Sequence, residues 1–126
     1  MSQFEDLLSK AKDESQPQLI LFMFAMAKSQ QETHMGMKRG TIEPVMCVDK
    51  MTNELTTFDN LVKEADSHKS DWNFIFVTTL SGKNDAIPSP EEVDPYFRQM
   101  TNAVATGEDL SQYIIWDRDE KVVTIS

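Results

Sequence analysis

Two apolar runs constrain this chain more than anything else in it. Residues 19–27 read LILFMFAMA without a polar interruption, and residues 72–77 read WNFIFV, broken only at Asn73. A strand with one wet face alternates polar and apolar residues, whereas a strand covered on both faces does not. Both runs therefore belong at the centre of a sheet with helices packed on its two faces. At nine residues the longer run is far short of the roughly 20 needed to cross a bilayer as a helix.

Around these runs the remaining elements fall into place. Ser2 and Glu5 have capping-box spacing ahead of a helix over about residues 3–13, in which Phe4, Leu7, Leu8 and Ala11 share one face. Gln16 and Pro17 end it and open a strand over residues 18–27. A polar stretch, residues 28–41, reads as a flexible loop. A second strand is predicted at 45–48, with Pro44 delaying its pairing, followed by a turn and a short return strand at 54–56.

A second helix follows over about 57–68, with Phe58, Leu61, Val62 and Ala65 on its inner face. The strand at 72–80, a loop at 81–89 and a third helix come next. Ser89, Pro90 and Glu92 give that helix its start, Val93, Phe97, Met100 and Val104 its buried face, and Gly107 its end. Pro95 means either that the helix restarts at Asp94-Pro95 or that its first turn is irregular. The chain closes with a hairpin of residues 112–116 and 121–125. The predicted order is α-β-β-α-β-α-β-β: a single three-layer α/β or α+β domain over residues 1–126. Its sheet is mixed, with about five strands, and right-handed crossovers link parallel neighbours.

The formal net charge of −9 argues against nucleic acid and against an anionic membrane surface, since both are contacted through clustered Lys and Arg. Acidic residues near the N-terminus are unlike a signal peptide. Cys47 is the single cysteine, so no internal disulfide and no multi-cysteine zinc site can form. A reducing cytoplasm is the simplest setting.

Candidate chemistry is sparse, and no cofactor or metal is implied. Ligands of open α/β sheets bind beyond the C-terminal ends of parallel strands. Asp49 with Lys50, Thr79 with Ser81 and Lys83, and Asp117 with Arg118 stand at three predicted strand ends. Together they would suit a polar metabolite or a nucleotide, although Asp is also an ordinary turn residue. Ser81-Gly82-Lys83 lacks the glycine spacing and the following helix of a Walker A loop. Cys47, between Met46 and Val48, reads as a buried structural thiol with no base beside it. His34, Met35 and Met37 are too few to hold copper(I). Met35, Met37, Lys38 and Arg39 instead give the long loop a methionine-flanked basic pair suited to an acidic protein partner.

The segments Phe4-Glu5-Asp6-Leu7-Leu8, QLILFMF at 18–24, PVMCVDK at 44–50, TFDNLVKEA at 57–65, WNFIFVTTLSG at 72–82 and Asp117-Arg118-Asp119 carry a resemblance. Together they resemble a family of small uncharacterised bacterial proteins, some labelled "ribonucleotide reductase subunit alpha". The resemblance spans most of the chain and implies a free-standing, bacterial, cytoplasmic domain without an established activity. The labelled reductase subunit resembles a barrel enzyme several times this length, with separate cysteines as radical carrier and reducing pair. With Cys47 alone, this chain takes none of those catalytic roles.

Two functions follow as expectations. The first is a non-enzymatic interaction or regulatory module with a protein partner, which predicts an exposed patch involving the long loop; separately, an unpaired edge at 121–125 would allow a homodimer. The second is a small-molecule or nucleotide-binding protein, with a hydrolase as its catalytic form, which requires Asp49 and Asp117 to share one site.

Overall fold

In the computed structural model, which describes residues 3–29, 40–106, 110 and 112–123, α1 (Gln3–Asp13) precedes β1 (Gln18–Ser29) and β2 (Gly40–Met51). A 3₁₀ turn (Thr52–Glu54), α2 (Phe58–His68), β3 (Phe74–Ser81), α3 (Pro90–Thr106) and β4 (Ile114–Asp117) complete the order. The sheet has four strands in the order β2-β1-β3-β4, and every neighbouring pair is antiparallel.

β1 is the strand on which both cores are built. Ile20, Phe22 and Phe24 point into a core with Phe4, Leu8 and Ala11 of α1 and Phe58, Leu61 and Ala65 of α2. Leu19, Leu21, Met23 and Ala25 point the other way, against Val93, Met100 and Ala103 of α3. All seven β1 side chains are buried, as its unbroken apolar run requires. Burying each large apolar side chain contributes about 1.5–3 kcal/mol, so this strand is the largest single source of stability in the sheet. Asn73, the polar interruption before β3, extends the pairing instead of breaking it. Its backbone N–H donates to the Ala25 carbonyl at 2.8 Å, and its side-chain oxygen accepts from the Ala27 N–H at 2.8 Å.

The parallel pairs and crossovers expected from the sequence are absent among the described residues. β2 and β3 do point the same way, but β1 lies between them. β3 and β4 are adjacent and antiparallel even though α3 separates them in sequence. Right-handed crossover applies only when the second strand starts at the opposite end of the sheet. Residues 82–89 and 107–113, added to α3, give the chain enough length to return to the end it left.

Three further expectations need correction. β2 runs for 12 residues and not four, and Pro44 lies inside it. That position is tolerated because β2 is an edge strand and its register shifts beside Pro44: Phe24 pairs with Met46, but Ala25 pairs with Pro44. Val45 is thus a bulge residue, and the one-residue slip lets Met46 and Val48 face the α1–α2 core while Ile42 faces the α3 core. The return strand at 54–56 is instead the end of the 3₁₀ turn followed by extended chain leading to the Thr57 cap, which accepts from the Asn60 N–H at 3.1 Å.

The long loop is shorter than expected, because residues 28–29 and 40–41 are strand. His34, Met35, Met37, Lys38 and Arg39 lie outside the described residues, as do Ser2, Gly107, Thr124 and Ile125. Of the closing hairpin's second strand, the structure describes a single bridge between Val122 and Trp116. Pro95 leaves α3 continuous.

The ends of this fold are tied to each other. The Glu120 carboxylate, in the turn after β4, accepts from the Phe4 N–H at 2.8 Å and so caps the first turn of α1. Gln3 accepts from the Trp116 indole N–H at 3.2 Å, and Phe4, Phe58 and Trp116 pack their rings with centroids 6.0–6.2 Å apart. Glu120 holds this position at φ 64°, a left-handed backbone that favours glycine. Two opposed effects therefore meet at one residue. Replacement by Ala removes the cap and keeps the strain, with an expected loss of about 1 kcal/mol. Replacement by Gly loses the cap and relieves strain worth about 1 kcal/mol, leaving stability near wild type. Urea unfolding of the two variants checks this; an Ala variant as stable as wild type would show that the cap contributes nothing.

Candidate functional site

The polar residues singled out in the sequence divide into three places. Asp49 and Lys50 sit on the edge strand β2, opposite Leu21 and Ile20 of β1. Thr79 pairs with Ile20 and Ser81 with Gln18, so these two lie on β3 at the same end of the sheet. Asp117 pairs with Phe74 at the opposite end. From Asp49 to Asp117 is four residues along the strands, about 13 Å, and three strand spacings across, about 14 Å. No shared rim exists for them, because an antiparallel sheet sends neighbouring strands out at opposite ends.

Most of these side chains are also engaged in holding the fold. Lys50 reaches Glu64 of α2 at 2.8 Å and pins that helix over the edge strand. One Asp117 carboxylate oxygen accepts from the Asp119 and Lys121 N–H groups at 2.8 and 3.0 Å, closing the turn that follows β4. Ser81 accepts from the Gln18 side-chain amide at 3.0 Å, which also donates to the Gln16 carbonyl, so the one buried polar residue among those described is satisfied.

Arg118 is the most heavily engaged. Its guanidinium lies 4.0 Å from the ring centroid of Trp72, donates to the Trp72 carbonyl at 3.1 Å, and donates to Asp66 at 2.6 Å. The other Asp66 oxygen accepts from the Trp72 indole N–H at 3.0 Å. One carboxylate thus ties α2, the approach to β3 and the final hairpin into a single knot. Asp49 and Thr79 are exposed, but Asp49 shares the Leu21 side of the sheet and Thr79 the Ile20 side, so they face away from each other.

The resemblance of residues 81–83 to a phosphate loop ends at the backbone. Lys83 and Ala86 bond each other reciprocally at 3.0 Å around Asn84 (φ 53°) and Asp85 (φ 63°), the geometry of a two-residue hairpin turn with both central residues left-handed. The Gly82 N–H donates to the Pro17 carbonyl, and the Asp85 N–H to the Gln16 side chain, both at 2.8 Å. These donors face protein, leaving no cradle of amides for an anion. Gly82 is required for a different reason: a Cβ there would lie 2.0 Å from the Ala86 carbonyl oxygen.

Cys47 is exposed on β2, not buried as its apolar neighbours suggest. Met46 and Val48 turn inward to the α1–α2 core, and Cys47 takes the alternate side at the sheet's edge. Partial desolvation raises its pKa above the ordinary thiol value, which leaves it protonated at neutral pH and a poor nucleophile. Among the described residues, no group of three or more His, Cys, Asp and Glu side chains has metal-binding geometry.

A cleft of about 240 Å³ between α1 and β4 is lined by Gln3, Asp6, Leu7, Lys10, Ile114 and Trp116. Trp116 forms its buried floor, Leu7 is half-buried, and Ile114 is 39% exposed. Val122, 56% exposed, pairs with Trp116 and so shares its side of the sheet. Asp6 and Lys10 are one helical turn apart on α1. None of the cleft residues stands among the site candidates of the sequence, and Val122 enters there only as part of the edge at 121–125. Leu7 belongs to the predicted inner face of α1, and only its place on the flank of that face leaves it half open. The exposure of Ile114 depends on β4 being an edge strand, which no local pattern reveals.

Two other hollows lie on α3 and at the start of α2. A shallow one of about 390 Å³ carries Pro95, Arg98, Gln99 and Asn102 of α3. A small one of about 70 Å³ at the start of α2 includes Lys50, Thr56, Thr57 and Asn60, whose polar groups already bond to Glu64 or to one another.

The chain matches no protein-family model, no curated protein and no solved structure, so the functional argument rests on these surfaces.

Two expectations follow from the contacts above. Arg118→Ala should lower stability by about 1–2 kcal/mol, a figure reduced for the partial exposure of both ion-pair partners. Arg118→Lys should recover less than half of that loss, since an ammonium cannot reproduce the fork and the stack together. Denaturant unfolding followed by tryptophan fluorescence checks both, and full recovery by Lys would reduce the knot to simple charge.

Cys47 should react completely with an aromatic disulfide reagent in the native state, but more slowly at pH 7 than a free thiol. The rate should rise with pH until it passes the raised pKa. The folded chain binds this proton more tightly than the unfolded one, so the group's linkage opposes folding as pH climbs past the ordinary thiol value. A thiol that reacts only after denaturation would overturn the exposed placement.

Proposed function

We propose that the chain is a non-enzymatic interaction module and that the margin of α1 and β4 is its contact surface. The observation that carries this reading is that exposed Ile114 and Val122 share the side of the sheet of the buried Trp116, at the margin of a cleft that Leu7 and Ile114 line together with Gln3, Asp6 and Lys10. Large side chains exposed singly are ordinary on a protein surface, whereas a group of them beside a concave apolar floor is what binding surfaces share. Asp6 and Lys10 on the rim supply polar groups that orient a partner without contributing to a reaction. The residues lining the cleft include no nucleophile paired with a base.

The polar candidates support the same reading from the other direction. Lys50, Ser81, Asp117 and Arg118 bond to other parts of the fold, and Asp49 stands across the sheet from Asp117, so the metabolite-binding alternative has no assembled set of groups. A bacterial cytoplasmic setting fits the family resemblance and the lone thiol. No helix among the described residues is long and apolar enough to cross a membrane.

The test is affinity capture from bacterial lysate with wild-type protein and with an Ile114→Asp, Val122→Asp variant shown by circular dichroism to be folded. A specific partner should be retained by the wild type and depleted about tenfold or more by the variant, the loss expected when about 1.4 kcal/mol of contact is removed. Equal capture by both proteins would show that this margin is not the contact surface.

A further inference from the structure

We draw no further inference here: the strongest candidate, the outer edge of β3 at residues 78–80, which no strand among the described residues pairs and which lies beside the α1–β4 cleft, carries nothing because nothing in the structure shows what covers it.

Discussion

The burial of β1 on both faces is the condition on which everything else rests. A strand with large apolar side chains on both faces cannot stay in water, so helices must cover the sheet from two directions. It must also be paired on both edges, since unpaired backbone groups inside a core cost as much as lost hydrogen bonds. β2 and β3 fill those two places, α1 and α2 close one face, and α3 closes the other. The bulge at Val45 follows from the same demand. β2 must serve the α1–α2 core with Met46 and Val48 and the α3 core with Ile42, and an extra residue sets the phase between them.

That bulge has a second effect on the edge itself. β2 presents Pro44, which has no N–H to offer, beside a local kink, and its exposed positions include Glu43 and Asp49. These are the devices by which natural sheets discourage strand addition. The opposite margin is different in character: β4 is only four residues long and is followed by a bridge at Val122. Ile114 and Val122 are exposed at that margin, while three charged residues of the final turn are engaged within the fold. Asp117, Arg118 and Glu120 bond respectively to the turn, to Asp66 with Trp72, and to the start of α1. Residues that look like ligand-binding groups in one dimension are here the fasteners of a short edge strand.

Much of the fold was legible because it depends on local pattern. The two apolar runs identify the interior strands, and the i, i+3, i+4, i+7 spacing of Phe4, Leu8 and Ala11, and of Phe58, Leu61 and Ala65, identifies the helix faces that are buried. What failed were inferences about order in space. A helix between two strands suggests parallel neighbours, but β1 separates β2 from β3, and the long connection around α3 brings β4 back antiparallel. The strand-end site failed with that assumption, since Asp49 and Asp117 were grouped by a direction the strands do not share. Cys47 was misplaced for a related reason. Its neighbours are apolar, but Met46 and Val48 take one face of the edge strand and Cys47 the other, where it stays exposed. Ile114 carries no local mark at all, and Val122 only its place in the edge at 121–125.

The bond from Glu120 to the Phe4 N–H also bears on how the chain is made. Some 116 positions separate its two ends, and the ring contacts of Trp116 with Phe4 span nearly as many. As the chain leaves the ribosome, α1 precedes the other described elements; Phe58 can meet Phe4 once α2 is made, but the cap and the Trp116 ring arrive only with the residues of the final hairpin. Contacts of such long sequence separation slow folding, because a large loop must close before they form. Until those residues appear, the apolar face of α1 has only the partners that β1 and α2 supply, and its docking is completed last.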